Sequence, residues 1–122
     1  VKILLVKLSS LGDVVHTLPV VQDILAALPE AQIDWVVEQA FAPLLTQVKG
    51  LQRIIPCELR RWRKSLWTAQ TRREWHAFKA NLQQDAYDAV IDLQGLTKSA
   101  VVARLARLTK QGKRYAMANQ TE

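Results

Sequence analysis

VKILLVKLSSLGDVVHTLP, residues 1–19, decides how the rest of the chain is read. The apolar run at 1–7 has the length of one strand and no polar alternation, so it suits a strand buried on both faces. Two serines, a glycine and an aspartate follow within six positions. Apolar residues then return at helical spacing from Asp13 to Leu28. A buried strand, a short polar turn and an amphipathic helix make the first unit of an α/β sheet. Pro19 falls inside the predicted helix. It lacks an N–H, so a kink or a restart is expected there, with Thr17 or Leu18 as a local cap. Pro29 is expected to close the helix.

Outward from this unit the pattern repeats. IDWVVE (33–38) reads as strand two, and AFAPLLTQV (40–48) as a short helix ended by Gly50. LQRIIPC (51–57) is strand three. A basic segment and a long amphipathic helix cover roughly 59–84. YDAVIDL (87–93) is strand four, LTKSAVVARLARL (96–108) a helix, and GKRYAMA (112–118) a candidate fifth strand. Strands alternating with helices predict a parallel α/β sheet covered on both faces. Right-handed crossovers then give the Rossmann-like order 3-2-1-4-5, with one domain over 1–122. In that order the chain reverses direction between strands one and four. Ligands of open α/β sheets bind beyond the carboxyl ends of strands at such a reversal. The polar residues gather there: Ser9, Ser10, Gly12 and Asp13 after strand one, and Asp92, Gln94, Gly95, Thr97, Lys98 and Ser99 after strand four. Turn chemistry alone also favours glycine and serine at such places.

The 122 residues carry 17 Lys and Arg against 11 Asp and Glu, a net charge of +6. This favours an acidic partner: nucleic acid, anionic lipid or a phosphorylated ligand. ELRRWRK (58–64) and TRREWHAFK (71–79) hold seven of the basic residues, Arg60, Arg61, Arg63, Lys64, Arg72, Arg73 and Lys79. Such a run can be a solvated face, or it can grip carboxylates and phosphates through guanidinium forks. Trp62 and Trp67 interleave with the charges. They could stack on single-stranded bases. With Trp75, they could equally pack the long helix onto the sheet, the role we favour. A basic nucleic-acid-binding module is thus the alternative function, and a peripheral membrane module a third. Cys57 is alone, which excludes an internal disulfide. No apolar run approaches the ~20 residues needed to span a bilayer, and no secretory leader is expected.

No phosphate-binding G-x-x-x-x-G-K-[ST], no G-x-G-x-x-G after strand one and no G-x-S-x-G elbow is present. His16 lies three residues after Asp13, too little for a metal site; His76 reads as a helix-face residue. Asp13 has two readings. It can complement the positive end of a helix dipole, or it can take a proton from a substrate hydroxyl.

The pieces KLSSLGDVVHTLP (7–19), DWVVE (34–38), RRWRK (60–64) and YDAVIDLQGLTKSA (87–100) resemble, in order, the lipopolysaccharide heptosyltransferases. The resemblance runs from Val1 to about Arg107. It implies the amino-terminal, acceptor-binding half of an inverting GT-B glycosyltransferase, without metal or cofactor. Such an enzyme moves L-glycero-D-manno-heptose from ADP-heptose to Kdo of Kdo2-lipid A. By motif match, Asp13 is the general base. Arg60, Arg61, Arg63 and Lys64 hold the acceptor's carboxylates and phosphates. Gln94, Gly95 and Lys98 line the acceptor side, while Ser9, Ser10 and Gly12 shape the loop that carries Asp13. The resemblance also implies a cytoplasmic enzyme, peripheral at the inner leaflet of the inner membrane, with no nucleic acid. A second, donor-binding domain is expected to be missing from these 122 residues, whose own domain is expected to be incomplete. The chain alone is expected not to turn over.

Overall fold

Strand β1, Lys2–Val6, alternates its side chains between two separate cores. Leu4 and Val6 face one, Ile3 and Leu5 the other, so the strand needs a cover of helices on both sides. The computed structural model describes residues 1–116 and supplies both covers. β1 is central in a five-stranded, all-parallel sheet of order β3-β2-β1-β4-β5, the order expected from sequence. The other strands are β2 Gln32–Glu38, β3 Leu51–Cys57, β4 Ala86–Asp92 and β5 Arg107–Ala116. Helices α1 Leu11–Ala27 and α2 Ala42–Leu45 supply residues to the core around Ile3, Leu5, Ile33, Trp35 and Val37. Helices α3 Leu59–Arg63, α4 Ala69–Leu82 and α5 Thr97–Leu105 supply the other, around Leu4, Val6, Val36, Ile55 and Val90.

The helix expected over 40–48 is the shorter Ala42–Leu45, and three other boundaries differ more from those expected. Helix α1 begins at Leu11, two residues early, and runs unbroken through Pro19. Ser10 is its N-cap, so Asp13 occupies the third helical position. Thr17 does not cap a restart; its hydroxyl donates to Asp13 O at 2.8 Å. Pro19 leaves the Val15 carbonyl without its helical donor. Val15 is exposed, so water can replace the lost bond. The 59–84 segment is two helices with a turn at residues 64–68 between them, not one. The last helix stops at Leu105, and β5 starts at Arg107, where helix had been expected. β5 is hard to read because it bulges: Tyr87 pairs with Leu108, but Ala89 pairs with Lys113. Gly112 sits in the bulge against β4; a Cβ there would lie 2.5 Å from Tyr87 O. Residues 117 and 118 of the expected fifth strand lie outside the described residues.

One buried polar network crosses the sheet under α4. Tyr87 donates its hydroxyl to Asp34 Oδ2 at 2.6 Å, and Arg53 Nε lies 3.5 Å from the same oxygen. Arg53 also donates to Asn81 Oδ1 and to Asn81 O, which fastens the end of α4 to β3. Burial first, and the Asp34 carboxylate second, push the Tyr87 phenol above its ordinary range. Asp34 Oδ1 has no hydrogen-bond partner, so Asp34 depends on Tyr87 and Arg53 for compensation. Tyr87→Phe is therefore expected to lower unfolding free energy by roughly 1.5–3 kcal/mol. Urea denaturation with an unchanged m-value would show it; an unaltered midpoint would contradict the account.

Candidate functional site

The polar residues after β1 and β4 do meet. Leu93 N donates to Val6 O at 3.0 Å, continuing the strand ladder past the end of β4. The Gln94 side chain then turns back, and its Oε1 accepts from Leu8 N at 2.7 Å and Ser9 N at 3.2 Å. Lys7 Nζ donates to Leu93 O at 3.3 Å. On the other flank Glu38 N donates to Leu8 O at 3.0 Å, and the Trp35 indole N–H to Lys7 O at 3.0 Å. The loop that leads into α1 is thus held from β2 and from β4 together.

The loop after β4 is organised by Asp92, which is buried. Its Oδ1 accepts from Gln94 N and Gly95 N, each at 3.0 Å, and its Oδ2 accepts from Ser99 Oγ at 3.1 Å. Gly95 has φ +71°, a conformation that side-chain-bearing residues rarely adopt. So Gln94 and Gly95 shape the turn. Lys98, in the first turn of α5, lines the cavity beyond it.

That cavity has a volume of about 350 Å³ and is lined by Ser9, Ser10, Glu38, Phe41, Arg60 and Lys98, with Ala40. Ser10 N and Oγ each lie 3.4 Å from Asp13 Oδ2, which places the exposed Asp13 carboxylate on the adjoining turn. Gly12 is open; a Cβ there would meet nothing within 4 Å. A second hollow of about 280 Å³ shares Glu38, Ala40 and Arg60 and adds Arg61 and Lys64. The basic segment therefore divides. Arg60 faces the serines and Lys98. Arg61 is committed to carboxylates: it donates to Glu58 Oε2 at 2.7 Å and to Glu74. The Trp62 indole N–H donates to Glu74 Oε1 at 2.9 Å, and this bond leads the causes that lower the Glu74 pKa to about 2. Arg63 lines a different, mostly apolar groove with Trp62 and Trp75. Trp62 is buried, with ring centroids 5.9 Å from Trp75 and 5.7 Å from Phe78. It packs and does not present a face for base stacking. Trp67 departs from the favoured packing role: it is 76% exposed. His16 and His76 are both exposed.

Glu38 is the residue that sequence reasoning missed. It ends β2, half-buried, between the loop of β1 and the start of α3. Its Oε2 accepts from Leu59 N at 3.2 Å. Burial raises its pKa above the ordinary glutamate value, while the backbone N–H of Arg60 and the charge of Lys98 pull the other way. The signal was present: a carboxylate closes an apolar strand at the crevice edge of the sheet. Cys57, next door and buried, has its thiol pushed up to about 12, by burial first and by Glu38 second.

The glycosyltransferase family 9 (heptosyltransferase) model matches residues 75–122. Lipopolysaccharide heptosyltransferase 1 of Pseudomonas aeruginosa is 50% identical over 103 residues, which is 84% of this chain and 29% of that one. The Escherichia coli K12 protein of the same name is 48% identical over 112 residues, 91% of this chain and 35% of that one. The solved structure of E. coli heptosyltransferase WaaC with ADP-2-deoxy-2-fluoro heptose superposes with a TM-score of 0.88 at 45% identity, over 96% of this chain and 36% of that one. E. coli ADP-heptose lps heptosyltransferase II gives 0.69 at 25% identity, over 95% of this chain and 30% of that one. The chain resembles heptosyltransferase 1 along nearly its whole length and spans about a third of the relatives it matches.

Because its pKa is raised on folding, Glu38 favours the folded state most when protonated; that contribution fades as pH rises through the raised value. Carboxyl carbon NMR is expected to give Glu38 a midpoint above 4.5. Lys98→Ala should move it further up, since the lysine charge favours the carboxylate. A downward move would overturn this picture of the cavity.

Proposed function

We propose that this chain is the acceptor-binding half of an inverting, ADP-heptose-dependent heptosyltransferase of lipopolysaccharide inner-core synthesis. The observation that carries the proposal is the superposition on WaaC over 96% of the chain. The site supports it in chemical terms. An acceptor bearing carboxylates and phosphates needs cations, and Arg60 from α3 and Lys98 from the first turn of α5 line one cavity. Lys64 adds charge on the adjoining hollow. A hydroxyl nucleophile needs a nearby base, and Asp13 lies on the turn beside Ser10.

In this mechanism Kdo of Kdo2-lipid A lies in the cavity. Its carboxylate meets Arg60 and Lys98, and the backbone around Ser9, Ser10 and Gly12 admits the sugar closely. Asp13 takes the proton of the attacking hydroxyl. The oxygen forms its bond to the anomeric carbon of heptose as the bond to ADP breaks on the opposite face, which inverts the centre. No residue of the 122 is assigned to ADP-heptose, and the chain alone is not expected to turn over. Arg61 contributes by position: it ties α3 to α4 through Glu74, so that Arg60 is presented to the cavity. The acceptor is embedded in a bilayer leaflet, so a cytoplasmic enzyme must work at the membrane surface. The nucleic-acid alternative is not favoured: Trp62 is consumed by packing, which leaves Trp67 alone of the two to stack on a base.

An NMR titration with deacylated Kdo2-lipid A, against single-stranded DNA as control, tests this. Saturable shifts are expected at Ser9, Ser10, Asp13, Arg60 and Lys98 with the sugar alone. A stronger response to DNA centred on 60–73, with Asp13 silent, would overturn it. Arg60→Ala and Lys98→Ala should each weaken sugar binding by roughly tenfold or more, as expected for a charge-assisted contact. Arg61→Ala should weaken it less and lower the unfolding midpoint, a split that calorimetry can read alongside the titration.

A further inference from the structure

The turn between α3 and α4 presents the two most exposed large apolar side chains of the described residues. Leu66 is 64% exposed and Trp67 76%. Leu66 also lines a groove of about 270 Å³ with Leu59, Trp62 and Trp75, flanked by Arg63 and Arg72. Two adjoining apolar side chains this exposed, beside an apolar groove, form a candidate interaction surface. Its charge says with what. Residues 59–73 contain Arg60, Arg61, Arg63, Lys64, Arg72 and Arg73 and no Asp or Glu. Of these, Arg61 alone has a carboxylate partner among the described residues. Arg72 donates to Trp67 O at 3.2 Å, which keeps its charge on the backbone of the same turn.

We propose that the Leu66–Trp67 turn is a membrane-docking tip for the surface of an anionic bilayer. Tryptophan settles at the boundary between headgroups and acyl chains. Arg63 and Arg72 flank its groove, and the exposed Lys64 and Arg73 stand next to them in sequence, so that their charges can meet lipid phosphates while their stems stay against apolar surface. The contact is a point of entry and not a helix lying in the interface. Helix α4 spends its apolar residues inward: Phe78 and Leu82 are buried in the core, and Trp75 packs against it. The proposal rests on the proposed function only for supplying a bilayer; the contact itself follows from exposure and charge.

Binding of the 122-residue chain to vesicles of phosphatidylglycerol and phosphatidylethanolamine, compared with phosphatidylcholine vesicles, tests it. Sedimentation should show binding to the anionic vesicles that weakens with added salt. Lipids brominated near the headgroup should quench tryptophan emission, and Trp67→Phe should remove most of that quenching. Leu66→Ser with Trp67→Ser should lower partitioning roughly tenfold. Arg72→Gln and Arg73→Gln should each lower it about fivefold. All four side chains are exposed, so folding is expected to survive, and circular dichroism checks it. Equal binding to both vesicle types, unaltered partitioning of the variants, or a solution dimer abolished by Trp67→Ser would each overturn the proposal. Vesicle binding with no response to deacylated sugar would leave the tip standing and sink the transferase reading instead.

Discussion

The site depends on one amide oxygen. Two consecutive N–H groups, of Leu8 and Ser9, emerge where β1 has run out of partners, and Gln94 Oε1 accepts both. Without it two donors at the mouth of a parallel sheet would need water, and the loop into α1 would be held chiefly from the β2 side. Gln94 can reach them because Asp92 folds the following turn, gathering Gln94 N, Gly95 N and Ser99 Oγ onto one carboxylate. A buried aspartate thus sets the position of an exposed one, Asp13, through two intermediate side chains and no direct contact. The bonds to the Gln94 side-chain amide are worth about 1 kcal/mol each and those to the Asp92 carboxylate about 1.5–3 kcal/mol. Their value is geometric.

Glu38 plays the matching part on the other flank. Its backbone closes the ladder to Leu8, and its side chain accepts from the first residue of α3. The basic segment is therefore referenced to the same strand ends as the serine loop. Beyond Glu38 the segment is held by ion pairs and aromatic packing: Arg61 between Glu58 and Glu74, and Trp62 against Trp75 and Phe78.

The sheet order was legible because β1 to β4 are short apolar runs bounded by turn residues, and a central buried strand shows itself by lacking polar alternation. The start of α1 falls two residues late in the sequence pattern because Gly12 reads as a turn residue; the clue was Ser10 three residues before Asp13, the spacing of a helix-start box, and Asp13 Oδ2 accepts from Ser10 N. Pro19 reads locally as a break, but packing of Val14 and Val21 on the sheet keeps the helix continuous around it. The bulge at Thr109–Gly112 hid the first half of β5, since an inserted loop erases the strand period. In the site, the clustering of Ser9, Ser10 and Lys98 was foreseeable from topology. The division of labour among the arginines was not. Glu58, three residues before Arg61, was the local clue; Glu74 is thirteen residues away and is brought in only by the fold of α3 onto α4.

The ways in which the two sides of the cavity are fastened have a mechanical consequence. The Ser9–Lys98 side is backbone ladder and buried carboxylate, a stiff wall. The Arg60 side has no strand ladder of its own: it is held by one Glu38 carboxylate bond, exposed ion pairs and the packing of Trp62, a more compliant wall. In the proposed function, the stiff wall would keep Asp13 in register with the attacking hydroxyl. The compliant one would let the same cavity close around headgroups that differ in size or in their pattern of phosphates. Accuracy and tolerance are thereby assigned to different sides of a single opening.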